Sequence, residues 1–159
     1  MAAPRPIIEL IFPGRTACRY LKEGEEDYLK RLSRFAAVTM KPVKAGRSTD
    51  GSNASIITAE SRQLLNKVPP NHLLIALDPA GREMDSPEFA QILGRARDEG
   101  RGISFVIGGH LGLGAEVRER ADRLLAISRM TFTHEMARMI LLEQIYRGFG
   151  ILSGTDYHK

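Results

Sequence analysis

Short apolar runs alternate with helix-like segments along almost the whole chain, and this alternation restricts the possible folds most strongly. Each run is rich in Ile, Leu, Val or Phe, as expected for strands buried on both faces of a sheet. The runs are Ile7 to Phe12, Ala37 to Val43, His72 to Leu77, Ile103 to Ile107 and Arg123 to Ser128. Strands that alternate with helices form βαβ units. The sequence therefore predicts an α/β fold with a mostly parallel sheet of five or six strands flanked by helices.

The segments between and after these runs show helical patterning. They are Glu23 to Arg34, Ala54 to Lys67, Pro87 to Glu99, Ala115 to Ala121 and His134 to Arg147. Proline is favoured at the first position of a helix, and glycine is favoured just after a helix end. We therefore expect Ser86 to cap a helix that begins at Pro87 and stops before Gly100.

Length and composition indicate one compact domain over residues 1–159, of which 43% are hydrophobic. The 23 Lys and Arg against 19 Asp and Glu give a net charge of +4. This mild excess favours an anionic partner such as nucleic acid, but it is also ordinary for a soluble domain. The single cysteine, Cys18, excludes an intramolecular disulfide and a cysteine metal cluster. Nothing in this cysteine usage implies an oxidising compartment, so we expect a cytoplasmic protein. No segment reaches the roughly 18 apolar residues of a membrane span, so we expect no membrane contact.

A glycine-rich segment, IGGHLGLG, follows the fourth predicted strand. Its glycines are Gly108, Gly109, Gly112 and Gly114. The dinucleotide-binding fingerprint fails because His110 and Leu113 occupy two of its glycine positions, and the P-loop fails because Ala115 and Glu116 replace its Lys and Ser or Thr. Two interpretations remain: a structural turn, or a bend at the carboxyl end of a parallel strand, where ligands bind in open α/β sheets.

The last predicted helix begins with His-Glu-Met-Ala-Arg, which resembles the zinc-protease helix. Arg138 occupies the position of the second histidine ligand and has no lone pair to give, so we expect no metal site. Thr133 can cap this helix. An arginine near a core needs an anionic partner. Glu135 or Glu143 can provide one in a structural ion pair, and an RNA phosphate or a cofactor carboxylate is the functional alternative.

Three polar features have both a plain and a functional explanation. The basic stretch 41–53 is expected to be a mobile surface loop, either simply solvated or in contact with phosphate. Asp78 follows the third predicted strand at the sheet edge expected for Gly108, and a Pro-Ala-Gly turn after it is sufficient to explain it. The tail GTDYHK is either a frayed polar end or a set of groups held for chemistry or recognition.

Five ordered blocks carry a resemblance to a known family. They are LIALD at 74–78, FVIGG at 105–109, ISRMTFTHEMAR at 127–138, LLEQIYRGFGI at 141–151 and GTDYHK at 154–159. Together they resemble the small SPOUT-class methyltransferases that methylate N3 of a pseudouridine in large-subunit ribosomal RNA. The resemblance implies a C-terminal trefoil knot, a homodimer, and S-adenosylmethionine bound in the knotted loops. It also implies an RNA site near the subunit interface.

The resemblance further implies which residues form the site. The cofactor contacts are expected at Leu77, Gly108, Gly109, Ser128, Arg129, Met130, Thr131, Phe132 and Thr133. Backbone groups there can bind an adenine edge, while Leu77, Met130 and Phe132 provide apolar walls. Relatives commonly carry an acidic residue where this bend reads GGHLG, and some have proline where Thr133 stands.

Four residues are the candidates for the chemistry: His134, Arg138, Tyr157 and His158. N3 of pseudouridine carries a proton that must leave, so a base or a cation that stabilises the resulting anion is required. We expect His158 to accept the proton, Tyr157 to stack on the base or bond to it, and Arg138 to offset the negative charge.

The target is expected on the assembled ribosome, because the small chain has no obvious separate RNA-binding domain. Two alternatives remain. The protein is either a ribosome-associated RNA-binding protein without catalytic activity, or a SPOUT methyltransferase that acts on another RNA target.

Overall fold

The computed structural model describes residues 4–159 and contains five strands and five α-helices in alternating order. The elements are β1 (Ile7–Pro13), α1 (Arg19–Leu32), β2 (Ala37–Val43), α2 (Asn53–Asn66), β3 (Leu73–Arg82), α3 (Ser86–Asp98), β4 (Ile103–Ile107), α4 (Ala115–Arg120), β5 (Arg123–Leu125) and α5 (His134–Leu152). A short 3-10 helix, Asp156–His158, ends the chain. Within the described part of the chain, every helix is too short or too polar to cross a bilayer.

The strands form one sheet in the order β2-β1-β4-β3-β5, and all neighbouring pairs are parallel. Leu77, in the middle of β3, pairs with Ile107, the last residue of β4. The predicted α/β fold with a parallel sheet is therefore confirmed. Because parallel strands end at a common edge, the segments after β3, β4 and β5 all leave the sheet on the same side.

Helices cover both faces of the sheet. Alternate residues of β1 point to opposite faces, so Leu10 lies in the core formed with α1, α3 and α5, whereas Ile11 lies in the core formed with α2 and α4. Burial on both faces explains why the strand segments are almost continuously apolar.

Some element boundaries differ from the prediction for local reasons. Asp85, not Ser86, caps α3: its carboxylate accepts from the Glu88 backbone N–H at 2.8 Å, and Glu88 accepts from the Asp85 N–H at 3.0 Å. Gly100 follows α3 with φ +64°, as its predicted role at the helix end requires.

The strand and helix lengths also differ from the prediction. β5 stops at Leu125, since β3, its neighbour in the sheet, has a register shift there: Leu125 pairs with Leu77 and also with Arg82, so the regular pairing does not continue to residue 126. β3 itself extends to Arg82, past the predicted end at Leu77. α5 continues through two glycines to Leu152, past the predicted end at Arg147. The first of them, Gly148, packs so closely on α3 that an added Cβ would lie 2.7 Å from the Leu93 side chain.

Candidate active site

The glycine bend lies directly after β4, beside Leu77 and Asp78 of β3. The Gly112 N–H donates to the Gly109 carbonyl at 3.0 Å, and Gly112 has φ +83°. A Cβ at Gly108 would lie 2.6 Å from the Gly112 backbone. The turn therefore requires glycine at both Gly108 and Gly112, and it leaves the half-exposed backbone of Gly108 and Gly109 open to a ligand.

The segment between β5 and α5 leaves the same edge of the sheet. The Ser128 hydroxyl accepts from the Met130 N–H at 3.0 Å, and the Thr133 hydroxyl caps α5 by accepting from the Met136 N–H at 3.2 Å. Met130 is 76% exposed and Phe132 is 38% exposed, both unusual for large apolar side chains. The predicted cofactor run thus forms an irregular loop anchored at its ends, with two apolar side chains directed outward.

Asp78 lies beside the glycine bend but has structural partners. Its carboxylate accepts from the Ala80 N–H at 2.9 Å, two residues further along β3, and from Arg118 Nε at 2.6 Å. The side chain is buried. These structural contacts are sufficient to explain Asp78, although residues 78–82 continue β3 through a register shift instead of forming the predicted turn.

Arg138 is fully buried at 0% exposure, and its anionic partner is not the one predicted. Its Nε lies 3.8 Å from Oε1 of Glu25 on α1, its Nη2 donates to the Thr16 hydroxyl at 3.0 Å, and its guanidinium lies 4.1 Å from the centre of the Phe12 ring. Burial lowers the pKa of Arg138 and raises that of Glu25. Because Arg138 does not reach the surface of this chain, a direct contact with RNA phosphate would require rearrangement.

Neither glutamate predicted for Arg138 forms the ion pair, because each has other partners. Glu135 accepts from the backbone N–H groups of Ala17 at 2.7 Å and Cys18 at 3.1 Å, which ties the start of α1 to the start of α5. Glu143 accepts from Arg147 at 2.6 Å. The prediction of a Glu135 or Glu143 pair was wrong because the partner comes from a helix far away in sequence.

His134, at the first position of α5, is half-buried beside this charged cluster. Burial, followed by the positive charge of Arg138, lowers the pKa of His134. The imidazole is therefore neutral near pH 7 and able to accept a proton. Within the described part of the chain, no three His, Cys, Asp or Glu side chains come together as a metal site.

Glu60 on α2 is a candidate site residue that sequence reasoning missed. It is buried, accepts from the Gly46 N–H at 3.3 Å, and its Oε2 lies 3.0 Å from where a Cβ on Gly109 would be. Its charge also acts on His134. The sequence did contain a signal for this: Glu60 lies one helical turn before Leu64, which is buried in the core, so the helical pattern places an acidic side chain on the buried face of α2.

The tail is folded back on the second half of α5. The Tyr157 hydroxyl lies 3.1 Å from the Tyr28 hydroxyl and donates to Glu143 at 3.2 Å, and its ring meets Tyr146 edge-on at 4.6 Å. Burial, helped by Tyr28 and Glu143, raises the pKa of Tyr157. The side chain of His158 is exposed. Tyr157 is thus held by fixed partners, unlike a residue of a frayed end.

The four predicted catalytic residues do not meet within one chain. His134 and Arg138 lie at the start of α5, whereas Tyr157 contacts Glu143, nine residues after His134. At 1.5 Å per helical residue, this is a separation of about 14 Å along the helix. The structure brings His134 and Arg138 together and places Tyr157 and His158 elsewhere.

A cavity of about 350 Å³ lies between the start of α3, the end of β5 and α5. Its lining residues are Met84, Asp85, Ser86, Phe89, Leu125, Ala126, Ile127, Ile140, Leu141 and Gln144. None of the predicted cofactor residues is among them, although Ile127 directly precedes Ser128. The cavity therefore adjoins the loop after β5 and is not formed by it.

Comparison with known proteins gives consistent results. Residues 7–158 match the family described as Predicted SPOUT methyltransferase. The chain is 41% identical over 157 residues to the ribosomal RNA large subunit methyltransferase H of Carboxydothermus hydrogenoformans, covering 96% of this chain and 99% of that one. It is 43% identical over 156 residues to the protein of the same name from Pelotomaculum thermopropionicum, covering 95% and 98%.

Solved structures match at the level of the fold. A probable methyltransferase from Bordetella pertussis Tohama I superposes with a TM-score of 0.55 at 17% identity, covering 89% of this chain and 95% of that one. A probable methylase family protein from Haemophilus influenzae Rd KW20 also gives a TM-score of 0.55, at 13% identity, covering 96% and 70%.

Proposed function

The chain belongs to the SPOUT methyltransferase family, and from that membership we propose that it transfers a methyl group from S-adenosylmethionine to N3 of a pseudouridine in large-subunit ribosomal RNA. The identity of about 40% to named ribosomal RNA methyltransferases, over nearly the full length of both chains, supports an RNA target of this class. We propose that residues 1–159 act as one domain in the cytoplasm, on the assembled ribosome. A net charge of only +4 agrees with a target presented by a particle rather than captured by a strongly basic surface.

One observation carries the proposal of cofactor binding. Leu77 in β3 lies opposite Ile107, the last residue of β4, and the segments after β4 and β5 leave the same edge of the sheet; together these positions contain the residues that the family resemblance assigns to the cofactor. Gly108 and Gly109 are half-exposed and carry no side chain, so a ligand can approach their backbone groups closely. We propose that Leu77, Gly108, Gly109 and 128–133 hold S-adenosylmethionine.

The chemistry requires alignment and removal of one proton. When bound, S-adenosylmethionine supplies a methyl group on a positively charged sulfur. N3 forms the new bond to the methyl carbon as the carbon–sulfur bond breaks, and the N3 proton passes to a base. We propose His158 as the base and Tyr157 as the residue that stacks on the target nucleotide or hydrogen-bonds to it through its hydroxyl.

Arg138 is assigned a role at a distance. Its burial prevents direct contact with the base in this chain, but its charge acts on His134. We propose that burial, helped by Arg138, keeps His134 neutral, and that Arg138 offsets negative charge on the target base through its electrostatic field instead of by contact.

We propose that the enzyme is a homodimer in which the tail of one copy reaches His134 of the other. The separation of about 14 Å between His134 and the Tyr157 contact supports this arrangement, since one chain does not bring them together. Three large apolar side chains are also exposed around the starts of α1 and α5: Tyr20 at 69%, Met130 at 76% and Phe132 at 38%. Exposed apolar groups of this kind are typical of subunit interfaces.

The proposal is tested by transfer of labelled methyl from S-adenosylmethionine to ribosomes that lack the modification, with naked RNA in parallel. Nuclease digestion and mass spectrometry then locate the product. Methyl on N3 of a large-subunit pseudouridine is expected, with assembled particles preferred over naked RNA. Cofactor binding without transfer would indicate another RNA target, and absence of cofactor binding would favour an RNA-binding protein without catalytic activity.

A further inference from the structure

A basic groove of about 330 Å³ lies between the end of α1 and the middle of α5, away from the glycine bend. Its lining residues are Asp27, Lys30, Arg31, Arg34 and Tyr146. Three cations and one carboxylate therefore surround a concave surface with an aromatic wall. This groove has no part in the cofactor site described above.

Most of the positive charge in the groove is not neutralised. Arg31 pairs with Asp27 at 2.9 Å, but neither Lys30 nor Arg34 forms an ion pair within residues 4–159. Arg34 instead donates to the Tyr146 hydroxyl at 3.3 Å. Arg5 adds a further cation at this end of α1, where it donates to the Ser33 carbonyl at 2.8 Å.

Helix electrostatics explain only part of this cluster. Basic residues in a last helical turn, such as Lys30 and Arg31, complement the helix dipole and are common. Arg34 lies beyond the end of α1, and its guanidinium packs 4.5 Å from the centre of the Phe35 ring. This packing on Phe35 fixes the exposed guanidinium of Arg34 at the groove. Stabilisation of the helix dipole does not explain a cation at this position.

The groove and the tail share a wall. Tyr146 lines the groove and meets Tyr157 edge-on at 4.6 Å. Arg31 lies 5.7 Å from the Tyr28 ring centre and 5.9 Å from that of Tyr146, and the hydroxyl of Tyr28 lies 3.1 Å from that of Tyr157. A nucleotide held by Tyr157 would therefore place its neighbours in the strand close to Lys30, Arg31 and Arg34.

Resting on the proposed function, we infer that the basic groove binds phosphates of the ribosomal RNA strand next to the target nucleotide. Exposed Lys and Arg that line a surface, rather than converging on one point, suit a chain of phosphates better than a single small anion. Aromatic rings beside such cations are typical of single-stranded RNA sites. The groove thus sets the position of the strand, while Tyr157 contacts the base.

The test compares the full chain with Lys30→Gln/Arg34→Gln, which removes two cations but keeps the Arg31–Asp27 pair. Arg62→Gln/Lys67→Gln is the matched control: it removes the same two residue types from exposed positions on or next to α2, on the opposite face of the sheet. Equilibrium binding to unmodified large ribosomal subunits is measured at several salt concentrations. Methyl-transfer kinetics and S-adenosylmethionine affinity are measured on the same proteins.

The groove variant is expected to bind subunits several-fold to about tenfold more weakly, with a salt slope smaller by about one for each phosphate that the variant no longer binds. KM for ribosomes rises by a similar factor, while kcat and S-adenosylmethionine affinity stay unchanged. The control behaves like the unaltered chain. Lys30→Arg/Arg34→Lys, which keeps both charges, restores binding, and thermal unfolding verifies that all variants are folded.

Three outcomes would overturn the inference: unchanged binding by the folded groove variant, an equal loss of binding in the control, or no recovery with the charge-preserving variant. Failure of the proposed function looks different. If only the proposed function fails, the unaltered protein binds ribosomal subunits more tightly than the groove variant does but transfers no methyl group. That result leaves the groove inference intact. No binding by the unaltered chain would overturn both.

Discussion

The two halves of α5 each carry an arginine paired with a glutamate, but in different surroundings. Arg138 is fully buried and reaches Glu25 on α1 at 3.8 Å, whereas Arg147 keeps about a quarter of its side chain exposed and pairs with Glu143 one turn away at 2.6 Å. The Arg147–Glu143 pair is shorter, but we expect it to contribute less to the free energy of unfolding, because solvent screens its charges and both side chains can be hydrated. The buried pair has no such alternative, so loss of either partner leaves an uncompensated charge in the core.

The same contrast distinguishes the two parts of the proposed site. The first half of α5 lies next to the glycine bend, where groups are buried and fixed by the backbone. The second half carries the tail and the basic groove, where groups are partly exposed and held by side chains. We therefore expect changes near the first half to affect folding and cofactor binding, and changes near the second half to affect the RNA substrate.

The largest effect is expected from Arg138→Met. It leaves the buried Glu25 carboxylate without a partner, which should lower the free energy of unfolding by about 3 to 5 kcal/mol. Arg147→Met is the matched change on the exposed half and should cost no more than about 1 kcal/mol. Urea unfolding of both variants measures the difference. Equal losses of stability would contradict the contrast between the two pairs, and Arg138→Met combined with Glu25→Leu should recover most of the stability.

Gly108→Ala is expected to have the next largest effect. The new methyl group would lie 2.6 Å from the Gly112 backbone, so the bend must open at a cost of roughly 1 to 3 kcal/mol. S-adenosylmethionine affinity, measured by calorimetry, should fall with it. Gly51→Ala provides a comparison, since Gly51 has φ +81° but open space around it and lies far from the bend in sequence. Unchanged cofactor affinity in Gly108→Ala would remove the bend from the cofactor site.

Tyr157→Phe should have a smaller effect on stability and a selective one on activity. It removes the hydroxyl that contacts Tyr28 and Glu143, which should cost about 0.5 to 1.5 kcal/mol. Methyl transfer should decrease while S-adenosylmethionine affinity is retained, because the tail is assigned to the RNA. Tyr28→Phe loses the same hydroxyl pair without altering the tail residue. A parallel loss of cofactor affinity in Tyr157→Phe would show that the tail has a structural role.

The smallest expected effect is the pH dependence due to His134. Its pKa in the folded chain is lowered by burial and by Arg138, from an unfolded value of about 6.5. The unfolded chain therefore takes up the proton first, so stability is full above about pH 6.5 and decreases as the pH falls through the folded pKa. His134→Gln should flatten this dependence. His72, whose pKa is also lowered by burial, acts in the same direction. Because His72 is present in both proteins, the difference in the pH dependence of stability between the unaltered protein and His134→Gln is due to His134. Identical pH profiles of stability for the two proteins would contradict the prediction.

The strand and helix order was predictable because burial on both faces leaves a continuous apolar signal in each strand. The end of β5 was not, since it depends on a register shift in β3 that has no local signature at Leu125. The cap of α3 was misplaced by one residue although its signal was present, because Asp85 and Glu88 form a capping box that a proline at Pro87 obscured.

The candidate site divides in the same way. The glycine bend, the Thr133 cap and the family motifs are local features, and the sequence determined them by itself. The partner of Arg138, the contact between Glu60 and the glycine bend, and the folding of Tyr157 onto Tyr28 depended on the tertiary structure. Each of these contacts joins segments that are far apart in the chain. A periodic pattern shows which face of a helix is buried, but only the packing of the helices on the sheet decides which charges and hydroxyl groups meet there.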